Sequence, residues 1–94
     1  MNFVIRNAAV YDGSSADARP GTDVHIRNGR IAAVGANLDA GDANIIDAQG
    51  LALMPGIIDS HTHFDAQITW DSGVRPSPAL GVTTVFMGTC GLTI

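Results

Sequence analysis

Met54-Pro55-Gly56-Ile57-Ile58-Asp59-Ser60-His61-Thr62-His63-Phe64-Asp65 is the stretch on which the reading of this chain turns. A proline-glycine corner leads into two β-branched residues and then two histidines one residue apart. Side chains alternate faces along an extended strand, so His61 and His63 are expected to point the same way, roughly 7 Å apart along the backbone. Neutral imidazole nitrogen is a common zinc ligand, and two converging rings at a strand end can hold a divalent metal. A bare His-x-His also arises by chance, so the pair alone leaves a structural and a metal-binding reading open.

The chain has 94 residues, with 5 basic and 9 acidic side chains and a net charge of −4. All the basic residues are arginine and all the acidic ones aspartate. An acidic balance argues against a nucleic-acid surface, which is normally basic. Scarcity of Lys, Glu and Gln removes strong surface helix formers and fits a β-rich start. Met1-Asn2-Phe3-Val4-Ile5-Arg6 lacks the pattern of a signal peptide. No uninterrupted apolar run approaches membrane-spanning length, so no membrane partner is expected. Cys90 is the single cysteine. It cannot form an internal disulfide, which fits a reducing cytoplasm.

Phe3 to Val10 reads as a strand, and Tyr11 to Gly21 as a turn followed by a polar loop. In Asp23-Val24-His25-Ile26-Arg27 the alternation puts Val24 and Ile26 on one face, with His25 and Arg27 on a solvent face. Asn28-Gly29 then separates this strand from Arg30–Gly35, a strong hairpin signal because both residues tolerate positive φ. Ile45–Ala48 and Leu51–Met54 are short strands flanking a Gln49-Gly50 turn. Residues 1–54 therefore read as strands of a small β-sandwich, with nothing catalytic evident in them.

From residue 55 the pattern changes. Ile57–His61 and Val82–Met87 are β-branched runs joined by a crossover in which Pro76 and Pro78 limit helix, while Ser77 and Gly81 can bound a single turn. Such a pair suits a parallel βαβ-type connection, the start of a TIM-like (β/α)8 barrel. A complete barrel needs about 250 residues. With its end in the apolar Cys90-Gly91-Leu92-Thr93-Ile94, the chain reads as a truncated piece of a longer protein. The fold class expected is thus mixed β and α/β. Barrel active sites lie at strand C-termini, where His61, His63 and Cys90 all fall. Cys90 has two readings, as a zinc thiolate or as a small buried apolar residue.

The run Leu53 to His63 resembles the metal-binding first strand of the amidohydrolase superfamily. Phe64 to Asp71, Pro76 to Val85 and Met87-Gly88-Thr89-Cys90-Gly91 make it similar to the N-acyl-D-amino-acid deacylase (D-aminoacylase) branch. The resemblance implies a zinc enzyme that hydrolyses N-acyl-D-amino acids to a carboxylate and a D-amino acid. It implies Cys90 as a bridging ligand and His61 and His63 as ligands of a weaker second position. Thr89 stands where that branch usually has asparagine, which alters local hydrogen bonding without removing a ligand. Two further histidines and the aspartate general base would come from later strands, so no catalytic residue is assigned here, and the substrate-binding residues are unknown. Asp59 and Asp65 read as structural more than functional, Asp59 as a partner supporting a metal ligand or a helper of the strand end and Asp65 as a cap of the following turn. Trp70 reads as packing or as pocket lining. Two alternatives stand: a cyclic-amide hydrolase of the hydantoinase or dihydroorotase kind, and a non-catalytic β-rich binding module derived from such an enzyme.

Expected partners are a small-molecule substrate and the remainder of a parent chain. Two barrel strands without neighbours expose apolar edges that invite pairing. The 94-residue chain by itself is therefore predicted to self-associate in analytical ultracentrifugation. A monodisperse monomer that unfolds cooperatively would contradict this.

Overall fold

Strand β1 (Asn2–Val10) is the axis of the first of two compact units, Met1–Pro55 and Gly56–Ile94. The computed structural model describes residues 1–88. In the first unit β2 (Arg19–Arg27), β3 (Arg30–Gly35), β4 (Asn44–Asp47) and β5 (Ala52–Leu53) join β1 in one mixed sheet. Its order is β3-β2-β1-β4, with β5 also on β1. The β1–β2 and β2–β3 pairs are antiparallel. The hairpin turn falls at Asn28 and Gly29, whose φ values of 53° and 74° are those a two-residue turn of this hand requires.

β4 and β5 share the other edge of β1. Phe3–Arg6 pairs in parallel with Asn44–Asp47, and Ala9–Val10 pairs in parallel with Ala52–Leu53. Between these stretches Asn7 takes a left-handed φ of 55°. The corner joining β4 to β5 is fastened there by Ala48 N–H to Arg6 O and Gly50 N–H to Asn7 O, both 2.8 Å. Asp23 secures the same irregularity from the other side. It accepts from Asn7 N–H (3.0 Å), Leu38 N–H (3.1 Å) and the Arg6 guanidinium (2.6 Å). A buried carboxylate demands such donors.

Ala8, Val10 and Val24 form the packed centre, with Ile5, Ile26, Ala48 and Leu53 against them. Val24, Ile26, Ile31, Val34 and Leu53 also line an apolar concavity of about 390 Å³.

Two expectations about this unit need correction. β2 begins at Arg19, inside the segment read as loop. Arg19 pairs with Val10 and Thr22 with Ala8, and register shifts in β1 absorb the irregular Pro20-Gly21 backbone. His25 is 7% exposed, not a surface residue. It sits opposite Val4, which is fully buried, and its Nε2 lies 2.7 Å from Asn2 Oδ1. Burial on both faces of the sheet defeats a reading by alternation.

The second unit contains a parallel pair, β6 (Ile57–Asp59) and β7 (Val82–Val85), as expected, though both strands are shorter than read. The crossover carries α1 (Phe64–Gln67) and a 3-10 turn at Ser77–Leu80. Pro76, not Ser77, is the N-cap of that turn, and Gly81 closes it at φ 93°. Gly56 packs so tightly on β7 that a Cβ there would fall on the Thr83 side chain. Among the described residues no helix is long and apolar enough to cross a membrane.

The Asn7 N–H first, then Leu38 N–H and the Arg6 guanidinium, hold the Asp23 carboxyl below the usual carboxylate range against the opposing effect of burial. A depressed native pKa contributes stability that is present above the unfolded value of about 3.9 and is lost as pH falls through the native one. Asp23→Asn is predicted to cost on the order of 2 kcal/mol at neutral pH. In thermal melts the gap to the parent protein should narrow below about pH 4. A gap that stays constant down to pH 2.5 would contradict this.

Candidate metal site

Asp59 ends β6, and its Oδ1 accepts the backbone N–H of His61 at 3.2 Å. A carboxylate bonded to the backbone two residues on makes an Asx-type turn. This turn takes the chain off the strand, so His61 and His63 stand beyond it rather than on it. Thr62 lies between them, 4% exposed, with its hydroxyl donating to Phe86 O at 2.6 Å. Phe86 N–H in turn donates to Asp59 O at 2.9 Å. With Thr62 bonded inward to the β7 end, its two neighbours are left on the open side.

His61 and His63 are both exposed. Their ring centroids are 5.8 Å apart and their planes are tilted by 53°. Two imidazoles sharing one tetrahedral ion, with bonds of about 2.0–2.1 Å, place their ring centres on the order of 5 Å apart. The ring separation is thus close to the spacing that a shared divalent ion requires. His63 is also the N-cap of α1, and its carbonyl receives Ala66 N–H (3.3 Å) and Gln67 N–H (3.4 Å). The strand end and the helix start are thus joined through the histidine turn.

Asp65, in the first turn of α1, is 6% exposed, and its Oδ2 has no hydrogen-bond partner among the described residues. The expected capping role is not what the structure shows, because α1 has no side-chain cap. Beyond α1, Asp71 accepts from Arg75 N–H (2.9 Å), Gly73 N–H (3.1 Å) and Arg75 Nε (3.2 Å). The Arg75 backbone N–H is the main cause of an Asp71 pKa below the usual range. Trp70 is exposed at the start of that loop.

Among the described residues no group of three His, Cys, Asp or Glu side chains is placed to hold a metal. Cys90, the third donor expected from sequence, lies outside the described residues. Thr62, bonded to the Phe86 carbonyl, is the position at this turn that the sequence reading passed over. Its signal was a hydroxyl flanked by two side chains that must face the other way.

Residues 44–93 match the model of the amidohydrolase family, and the chain belongs to that family. N-acyl-D-aspartate deacylase from Alcaligenes xylosoxydans xylosoxydans is 43% identical over 93 residues, covering 99% of this chain and 18% of the relative. A crystal structure of D-aminoacylase superposes with a TM-score of 0.83 at 41% identity, covering 97% of this chain and 19% of that one. N-acyl-D-glutamate deacylase from Bordetella bronchiseptica, solved with zinc and a phosphonate mimic of the tetrahedral intermediate, gives 0.78 at 35% identity. There the coverage is 98% of this chain and 19% of the other. A dihydroorotase from Solibacter usitatus (strain Ellin6076) is 41% identical over 90 residues, 90% of this chain and 21% of the relative. The chain thus spans about a fifth of the length of these relatives.

Thr62→Val keeps the shape of the side chain and removes the hydroxyl. It leaves the Phe86 carbonyl without that donor, and is predicted to destabilise the protein by about 1–3 kcal/mol. Denaturant unfolding measures this directly, and an unchanged midpoint would show that Thr62 does not secure the histidine turn.

Proposed function

We propose that this chain supplies part of the metal site of a zinc-dependent amidohydrolase that hydrolyses N-acyl-D-amino acids to a carboxylate and a free D-amino acid. The observation that carries the reading is the His61/His63 pair, held outward by the Thr62–Phe86 bond at the end of a parallel strand. The deacylase relatives support the substrate class, and the zinc in one of them supports the metal. In this reading the sheet of Met1–Pro55 is one layer of a β-sandwich, and β6 and β7 are the first two strands of a (β/α)8 barrel.

His61, His63 and Cys90 would hold the metal, with the remaining ligands and the general base coming from residues outside these 94. Bound zinc lowers the pKa of a coordinated water towards neutrality and polarises the scissile carbonyl. The part played by this chain's residues is positional. Asp59 and Thr62 hold the backbone on either side of His61, so the turn that carries the two imidazoles is fixed before ligand binds. A cyclic-amide hydrolase is the second reading, favoured by the identity to dihydroorotase.

The test is the full-length protein, loaded with zinc and assayed on N-acetyl-D- and N-acetyl-L-amino acids and on dihydroorotate. Release of D-amino acids alone is expected. His61→Ala and His63→Ala should each lower kcat/KM by more than about a hundredfold, the upper end for residues that only support ligands. Hydrolysis of dihydroorotate without deacylation would move the function to the second reading. No hydrolysis of any of these by zinc-loaded protein would overturn both.

A further inference from the structure

We infer that Asp65 is a positioning residue for the metal site. Its buried carboxylate accepts a hydrogen bond from a donor outside residues 1–88, and that bond fixes the turn presenting His63. The inference rests on the metal reading above and adds a residue that the reading does not use.

The starting observation is an imbalance. Seven other aspartates have carboxylate oxygens bonded to donors within the described residues: Asp12, Asp23, Asp39, Asp42, Asp47, Asp59 and Asp71. All but Asp42, which accepts from the Asn2 side-chain amide, bond to backbone N–H groups, and three also meet arginines, Asp12 with Arg19, Asp23 with Arg6 and Asp71 with Arg75. Asp65 is as deeply buried as Asp23, yet its Oδ2 is sealed from solvent with no donor among the described residues. Leaving a buried carboxylate oxygen without a donor is strongly unfavourable, and folded proteins satisfy nearly all such atoms. The backbone of α1 does not supply one, because Ala66 N–H and Gln67 N–H both donate to His63 O and Ile68 N–H donates to Phe64 O. The requirement is therefore for a guanidinium, an ammonium or an N–H group brought by another part of the protein.

The place of Asp65 says what that bond would do. It lies two residues after His63, next to buried Phe64, in a turn whose first carbonyl is that of His63 itself. His61 and Asp59 are tied to β6 and β7, but nothing among the described residues fastens the far side of His63 apart from α1. A donor on Asp65 would fasten α1, and with it the His63 ring. Direct ligation by Asp65 is a different arrangement, and the geometry disfavours it, because His61, His63 and Asp65 do not converge as a three-donor group.

The experiment uses the full-length protein with Asp65→Leu, which has no acceptor, and Asp65→Asn, which keeps one. Zinc affinity is read by competition with a chromophoric chelator, and geometry by the visible absorption of the cobalt-substituted forms. Wild type that takes up no zinc would remove the metal reading itself, independently of the variants. Given zinc binding by wild type, Asp65→Leu should bind it about 10- to 100-fold more weakly, with shifted cobalt bands. Asp65→Asn should recover most of both. Wild-type affinity and spectrum in folded Asp65→Leu would overturn the inference. Loss of one metal equivalent in both variants would overturn it in favour of direct ligation. Where Asp65→Leu fails to fold, Asp65→Ser, whose hydroxyl is too short to reach the donor, is read against the same outcomes.

Discussion

A single buried hydroxyl decides what this chain can present at the end of its parallel strand pair. The Thr62 side chain turns inward to the Phe86 carbonyl, and the two imidazoles beside it are left outward with their centres 5.8 Å apart. The Phe86 N–H returns to the Asp59 carbonyl, so the same β7 end holds both sides of the turn. Placement of the candidate ligands is therefore a property of backbone pairing, and the pairing needs the close approach that glycine at position 56 allows.

The first unit meets a related problem by a related device. Asn7 breaks β1 so that two short parallel strands can share one edge, and the buried Asp23 carboxylate satisfies the backbone exposed by the break. Each unit thus uses an aspartate to stabilise an irregular point in a strand, Asp23 at a break and Asp59 at an end. Asp65 is the exception, buried with an oxygen that has no donor among the described residues, which is why it points outside them.

The local features were legible wherever backbone chemistry alone decides them. Asn28-Gly29 turns because both residues take positive φ, and the β-branched runs at 57 and 82 pair in parallel. The features that depend on tertiary cover were not legible. His25 alternates as a surface residue does, yet lies opposite buried Val4. β2 starts four residues early, at Arg19 and not Asp23, because β1 continues to Val10 and offers it a partner. The histidine pair was visible as a motif, but its support was not, since Phe86 is 24 positions away from Thr62. The burial of Asp65 could not be anticipated from an acidic residue in a first helical turn, where solvent exposure is the ordinary expectation.

The central claim is that His61 and His63 together bind a metal in the full protein. Anomalous diffraction at the zinc edge from crystals of the zinc-loaded full-length protein tests it most directly. The account predicts a peak within about 2.1 Å of one ring nitrogen on each histidine. Zinc-loaded crystals with anomalous density elsewhere and none at this pair would contradict it.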